Sequence, residues 1–220
     1  MDATFWRQRW AENAIGFHRD DVNPNLVKHF DVLAVPKGGC VFVPLCGKSQ
    51  DLLWLAQQAI EVIGVELSEK AVEAFFSENK MTPEVKRFDR MERWHCGSIT
   101  IYRSDFFDLI PELFEHVDAV YDRAALVALP KAMRSDYCRQ LNYLIPEPLT
   151  VLLVSFDYDQ EKMDGPPFSV PAYEVRHHFD NVIPITPLSS TDIIAEVPRF
   201  SEKGLDAMHE EVYFLGYPTR

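Results

Sequence analysis

The segment Cys40 to Asp51, Cys-Val-Phe-Val-Pro-Leu-Cys-Gly-Lys-Ser-Gln-Asp, restricts the fold more than any other stretch of the chain. Val41, Phe42 and Val43 make a short apolar, β-rich run that reads as a buried parallel strand. Pro44 has no ladder donor and stops it. Gly47 permits a tight turn or a close ligand approach, and Ser49 is placed to cap a helix continued by Leu52, Leu53, Leu55 and Ala56. Strand, turn and helix start define a nucleotide-sized site at the carboxyl edge of an open α/β sheet. Two familiar ligands fail on spacing. A phosphate-cradling P-loop needs glycine five residues before Gly47, where the chain has Phe42. A dinucleotide turn needs three glycines to close on a pyrophosphate, and only Gly47 is present. One glycine and no phosphate nest suit a ligand without phosphate.

The next strand narrows the ligand. Glu61 to Glu66, Glu-Val-Ile-Gly-Val-Glu, ends in a carboxylate about twenty residues beyond the turn, where an acid accepts hydrogen bonds from both ribose hydroxyls. An ordinary solvated acid at a strand end is the plainer alternative for Glu66. Ser68 then caps a helix over residues 69–79, with Glu69 in its first turn as the macrodipole favours. A ribose-bearing, phosphate-free ligand points to S-adenosylmethionine.

With 220 residues, 47% hydrophobic and 25% charged, the chain suits one folded α/β domain with a sizeable core. A net charge of −12 argues against nucleic-acid partners and against anionic membrane surfaces. No run of about eighteen apolar residues spans a membrane, and no basic-then-apolar start suggests secretion. Cys40, Cys46, Cys96 and Cys138 lack C-x-x-C spacing, so zinc is not expected. Reduced thiols and a cytoplasmic setting are.

Along the chain, Thr4 is placed to cap a short helix in which Trp6 and Trp10 share a face. That helix either docks on the core or, with Phe17, forms a lid over a cationic ligand. His18 reads as a surface or hydrogen-bonded histidine. A second helix is expected over 25–35, closed by Pro36, Gly38 and Gly39. The polar stretch 80–97 reads as a connection and hairpin leading into the third strand, Ser98 to Tyr102. Asp105 either meets an adenine amino group, with Phe106 flanking the ring, or caps the next helix. The fourth strand, 117–121, runs into Asp122 and Arg123. Arg123 is either the structural partner of Asp122 or a planar clamp for an anionic group. Pro130 opens a helix to Leu144, and 149–156 is a fifth strand buried on both faces. The acids at 157, 159 and 164 lack EF-hand spacing. His177 and His178 are adjacent on a helix and do not converge as ligands. Strands near 191–197 and 211–217 should pair antiparallel. The expected architecture is one domain over 1–220 with a Rossmann-like, seven-stranded, mostly parallel sheet and helices on both faces. Residues 1–35 form a helical lid, 36–160 the cofactor-binding core, and 161–220 the substrate-side loops and terminal strands.

Several motifs resemble the thiopurine S-methyltransferases along nearly the full length. They are Phe5-Trp6-x-x-x-Trp10, Phe17-His18, Pro44-Leu-Cys-Gly-Lys48, Val62-Ile-Gly-Val-Glu-Leu-Ser68 and Asp122-Arg-x-Ala-Leu-Val-Ala128, then Ser155-x-x-Tyr-Asp159, Gly165-Pro-Pro-Phe-x-Val-Pro171 and Lys203-Gly-Leu-Asp206. The resemblance implies a class I, metal-free, cytosolic, monomeric enzyme. It would move a methyl group from S-adenosylmethionine to the sulfur of aromatic and heterocyclic thiols, releasing S-adenosylhomocysteine. It implies cofactor contacts at Trp10, Leu45, Glu66 and Arg123, with Trp6, Phe17, Gly47, Asp105 and Phe106 as additions. On the acceptor side it implies electrostatic roles for Arg123 and Arg199, beside Phe17, Pro167 and Phe168. Two positions depart from the animal enzymes: Ala124 replaces a glycine, and Asp105 a smaller polar residue. Bacterial members are associated with selenium and tellurium compounds, so the acceptor class includes selenols. The alternatives are a small-molecule O- or N-methyltransferase on the same fold and a non-catalytic module that binds S-adenosylmethionine.

Overall fold

A computed structural model of the chain describes residues 3–58, 60–145, 148–179 and 183–217. The helices are α1 (Ala3–Ala11), α2 (Pro24–His29), α3 (Asp51–Gln57), α4 (Glu69–Glu78), α5 (Lys131–Leu144), α6 (Ala172–Phe179) and α7 (Pro198–Ser201). The strands are β1 (Cys40–Val43), β2 (Glu61–Glu66), β3 (Glu84–Arg87), β4 (Glu92–Cys96), β5 (Ile99–Arg103), β6 (Ala119–Arg123), β7 (Val151–Asp157), β8 (Ile185–Asp192) and β9 (His209–Leu215). All of them join one sheet in the order β3-β4-β5-β2-β1-β6-β7-β9-β8. The strands β5, β2, β1, β6 and β7 run parallel, and β9 returns antiparallel against β7.

The parallel centre arises because its strands are apolar on both sides. In β7, Val151 and Leu153 enter the core beneath α5 and α6, while Leu152 and Val154 enter the core beneath α2, α3 and α4. Such continuous burial is what a sheet covered by helices on both faces demands. Helix α4 supplies Val72, Phe75 and Phe76 to the second of these cores, and Ser68 caps it by accepting from Ala71 N.

Several elements differ from the sequence expectation. The sheet has nine strands rather than seven. The extra two are the hairpin β3–β4, which joins β5 antiparallel instead of standing apart. Every residue of β3 is exposed, so no apolar alternation announced it as part of the sheet. Helix α1 already includes Ala3, which puts Thr4 inside the helix rather than at its cap. The single helix expected over 25–35 is α2 followed by a 3-10 turn, Phe30–Leu33, and Asn23 caps it by accepting from Asn25 N at 2.8 Å. The helix after the first strand starts at Asp51, whose N–H donates to Ser49 Oγ at 3.2 Å. The first terminal strand lies earlier than expected, at 185–192, and residues 194–196 form a 3-10 turn. Pro187 hid it. An edge strand tolerates proline, and the ladder to β9 shifts register between Pro187 and Ser189.

Among the described residues no helix is long and apolar enough to cross a membrane. A buried hydrogen bond ties the lower face together: Tyr137 Oη on α5 donates to Asp122 Oδ2 at the end of β6, at 2.7 Å. Tyr137→Phe leaves that carboxyl oxygen unpaired in the core. Urea unfolding should register a loss of about 1–3 kcal/mol, with the fold retained.

Candidate functional site

The carboxyl ends of β1, β2, β5 and β6 open into a cavity of about 400 Å³, roofed by α1 and the segment that follows it. Its volume lies within the ~300–1,000 Å³ range usual for small-molecule sites. The turn after β1 is built by backbone strain and one side chain. Leu45 and Gly47 take positive φ, +48° and +54°, and Cys46 N donates to Val65 O at 2.9 Å. Gly47 N donates to Glu66 Oε2 at 3.0 Å, and Ser68 N donates to Glu66 Oε1 at 2.7 Å. One buried carboxylate therefore holds the turn after β1 and the turn after β2 together. A carboxylate has about four acceptor positions, so Glu66 is not saturated by these contacts.

Burial pushes the Glu66 carboxyl up to about 7 from 4.5, against the three backbone N–H groups of Ser68, Gly47 and Leu67 that pull it down. The folded chain thus holds a proton that the unfolded chain releases between pH 4.5 and about 7. Stability falls with rising pH through that window and levels above it.

Trp10 lies against this turn. A β-carbon at residue 47 would stand 3.2 Å from the Trp10 ring, so glycine serves both the positive φ and the close contact. Trp6 and Trp10 each meet Phe17 edge-on, at 5.5 and 5.6 Å between ring centroids. Lys70 Nζ anchors the end of α1 by donating to Ala11 O at 2.9 Å. Lys48 forms an ion pair with Glu78 at 2.7 Å, so its charge is not left over for a phosphate.

Trp6, Trp10, Phe17, Leu45, Gly47, Glu66, Asp105, Phe106, Arg123, Pro167 and Arg199 all line the cavity. Phe168 does not; its ring lies 5.6 Å beneath the Arg134 guanidinium, and its N–H donates to Val127 O. Asp105 satisfies both of its readings in part. It caps the 3-10 turn 106–108 by accepting from Phe107 N at 3.0 Å, and it also borders the cavity. Phe106 stacks on Phe42 and leans on Tyr137, so it is core as well as wall.

Asp122 and Arg123 do not pair. Successive strand residues face opposite ways, and Asp122 points to α5, where it accepts from Tyr137 Oη and from Leu126 N. Arg123 points into the cavity, and its Nε is buried without a hydrogen-bond partner. Arg199 lies over the Phe200 ring at 4.5 Å. A β-carbon on residue 16 would come within 2.8 Å of its Nη1, so Gly16 is what lets the guanidinium approach the N-terminal segment. Burial first and Arg19 second lower the Arg199 pKa.

Glu210 was missed by the sequence reading. It lines the cavity from β9 and is only 4% exposed. The signal was the adjacent pair Glu210-Glu211 in a strand, where one of two neighbours must face inward. Among the described residues no group of three or more His, Cys, Asp or Glu side chains is placed to hold a metal ion.

An open, mostly parallel sheet with an apolar pocket at its carboxyl edge, a buried acid at the end of the second strand and no phosphate nest defines a class I S-adenosylmethionine-dependent methyltransferase. Solved structures agree on the fold. The Burkholderia thailandensis 1,6-didemethyltoxoflavin-N1-methyltransferase has 13% identity and a TM-score of 0.65, over 98% of this chain and 87% of that one. A methyltransferase from Anabaena variabilis has 14% identity and a TM-score of 0.62, over 98% and 94%. The sequence matches the family described as Thiopurine S-methyltransferase (TPMT) over residues 1–217, and the chain belongs to that family. The thiopurine S-methyltransferase of Pseudomonas aeruginosa (strain LESB58) is 45% identical over 215 residues, 98% of this chain and 99% of the relative. That of Nitrosospira multiformis is 42% identical, over 98% of each. The chain is thus an S-adenosylmethionine-dependent methyltransferase.

Ala124, which lines the cavity next to Arg123, holds φ at +69°, a conformation that suits glycine. Ala124→Gly should relieve this strain and raise stability by about 1 kcal/mol, read as a higher urea midpoint at unchanged m-value.

Proposed function

We propose that the chain transfers the methyl group of S-adenosylmethionine to the sulfur of a small aromatic or heterocyclic thiol, with selenols within the same acceptor class. The observation that carries this reading is a single cavity bordered at one side by Glu66 and at the other by Arg123, whose buried Nε lacks a partner. Relatives named thiopurine S-methyltransferase support the acceptor class.

The donor set fits the adenosyl ligand in three ways. Glu66 has acceptor positions left for ribose hydroxyls. Trp10 and Trp6 supply ring faces that attract a cationic sulfur, worth roughly 0.5–2 kcal/mol. The turn at 44–47 holds no phosphate nest. Leu45, Gly47, Asp105 and Phe106 complete the adenosyl side in this reading. When bound, S-adenosylmethionine supplies an electrophilic methyl carbon open to in-line displacement. Arg123 and Arg199 hold the acceptor's sulfur and favour its anionic form. Lowering a thiol pKa by one unit raises its reactive fraction about tenfold near neutral pH, or ~1.4 kcal/mol. Trp6, Trp10 and Phe17 exclude water from the reacting centre, and Pro167 walls the acceptor side.

In the same reading residues 1–220 act as one domain, monomeric and cytoplasmic, needing no metal, with residues 1–35 as the lid. Cys40, Cys46, Cys96 and Cys138 are all free thiols, as a reducing compartment favours. The net charge of −12 disfavours self-association.

Two measurements test the assignment. Ribose hydroxyls donate to the ionised form of Glu66, so S-adenosylhomocysteine affinity should be level above pH ~7 and fall up to tenfold per unit below it. Glu66→Gln should weaken binding and flatten that profile; calorimetry giving the same slope for both proteins rules out the ribose role. Arg199→Ala should raise the KM for an aromatic thiol about tenfold while S-adenosylhomocysteine affinity stays within about twofold. Equal loss of both would mean that Arg199 serves the donor side instead.

A further inference from the structure

The motifs Ser155-x-x-Tyr158 and Gly165-Pro-Pro-Phe168-x-Val170 meet behind the cavity wall that carries Pro166 and Pro167. Residues 167–170 belong to no helix or strand, so no ladder satisfies their backbone groups. Side chains do so instead. Tyr158 Oη donates to Pro167 O at 2.6 Å, Ser155 Oγ donates to Val170 O at 2.7 Å, and Gln160 Oε1 accepts from Ser169 N at 2.9 Å. Phe168 N donates to Val127 O and Val170 N to Phe156 O, both at 2.7 Å. A guanidinium supplies a further tie. Arg134 on α5 is 2% exposed, and its Nη1 donates to Ser169 O at 3.0 Å and to Glu174 Oε1 at 2.7 Å. Its Nε donates to Leu129 O at 2.9 Å. Leu129 borders the cavity from the segment after β6, and Pro167 borders it from the 165–171 loop, two residues before Ser169. One planar group therefore spans two wall segments while lying outside the cavity itself.

A buried ion pair such as Arg134–Glu174 contributes little net stability, because desolvation of both charges offsets their attraction. Well-packed apolar residues of similar volume would hold α5 against α6 as firmly. They would not supply a rigid fork whose donors point in fixed directions and so set the separation of two carbonyl oxygens. We infer that Arg134 is a positioning residue that fixes the width of the acceptor side by holding Leu129 and Ser169 at a set spacing. Tyr158, through Pro167 O, holds the same wall at a second point. Both act through the wall and do not touch the reacting atoms. The inference rests on the reading above that places the acceptor beside Pro167, and it adds what keeps that side rigid. In-line displacement tolerates little misplacement of the attacking sulfur, so a wall that yields costs rate and relaxes discrimination by ring width.

The test gives the intact protein two acceptors of different width, thiophenol and 2-naphthalenethiol. The ratio of their kcat/KM values, taken from one preparation, is independent of the fraction folded, so a loss of stability alone does not move it. Arg134→Lys keeps a charge beside Glu174 but loses the fork. In this variant the naphthalenethiol-to-thiophenol ratio should rise about 5- to 10-fold, with S-adenosylhomocysteine affinity within about twofold of native. Tyr158→Phe, which releases Pro167 O and leaves Arg134 in place, should shift the ratio the same way by about threefold. An unchanged or lower ratio in folded Arg134→Lys overturns the assignment, while native turnover of thiophenol keeps the sulfur-acceptor reading. Should Arg134→Lys not fold, Tyr158→Phe decides, and an unchanged ratio there overturns the assignment. Loss of S-adenosylhomocysteine affinity at a constant ratio overturns the acceptor-side placement of Pro167 along with it. Native turnover of neither thiol overturns both the inference and the sulfur-acceptor reading.

Discussion

The contact on which the site depends is the buried Glu66 carboxylate and the two backbone N–H groups it accepts, from Gly47 and from Ser68. Each of these donors belongs to a turn at the carboxyl end of a parallel strand, where the ladder can no longer satisfy it. Gly47 sits in the turn after β1, and Ser68 starts α4. Without an acceptor between them both N–H groups would need water, and water would compete for the cavity floor. The same carboxylate thereby fixes the distance between two strand ends and presents its remaining lone pairs to the cavity. Each oxygen accepts one of the two backbone donors, so removal of the carboxylate would leave both turns unpaired.

The parity of side chains along a strand organises everything beyond that contact. In β6, Tyr121 and Arg123 face one side, and Asp122 faces the other. Tyr121 Oη donates to Asp51 Oδ2 at 3.1 Å, and Asp51 Oδ1 accepts from Asn23 N at 2.7 Å, so the start of α2 is tied beneath the cavity. Asn23 in turn caps α2, and Asn25 from its first turn holds Glu210. A short helix near the N-terminus thus fixes a residue near the C-terminus. On the opposite face, Asp122 is taken by Tyr137 and the backbone that follows β6. An adjacent acid and base in sequence look like a pair, but the pleat sends them to separate environments.

How much of this could be read beforehand varies with the physical signal. The core strands were legible because apolar runs ended at Pro44, Glu66 and Asp122 mark buried parallel strands without alternation. β2 was expected at residues 61–66 and is found there. The hairpin β3–β4 was foreseen as a hairpin but not as part of the sheet, because Glu-Val-Lys-Arg offers no face to bury. β8 was misplaced by several residues, since Pro187 argues against a strand unless the strand is known to lie at an edge. Phe168 was expected at the acceptor pocket on the strength of its neighbours. Its ring is instead drawn under Arg134, which also donates to Ser169 O and Glu174 Oε1 and so braces the loop from behind. Glu210 escaped because burial of an acid is invisible until the partner helix α2 is in place.

Net charge illustrates the limit of composition most sharply. The chain carries −12, yet Arg19, Arg123 and Arg199 all border one cavity. Composition averages over the surface, where opposite charges are screened within about 8–10 Å at ordinary ionic strength. Inside a cavity with mostly apolar walls that screening is weak, so a few local guanidinium groups outweigh a distant acidic surface. It follows that placement decides the field inside the cavity, where Arg19, Arg123 and Arg199 share the walls with Asp51, Glu66, Asp105 and Glu210. Selectivity then belongs to the arrangement of those few groups, and the bulk charge of the chain is free to serve other ends.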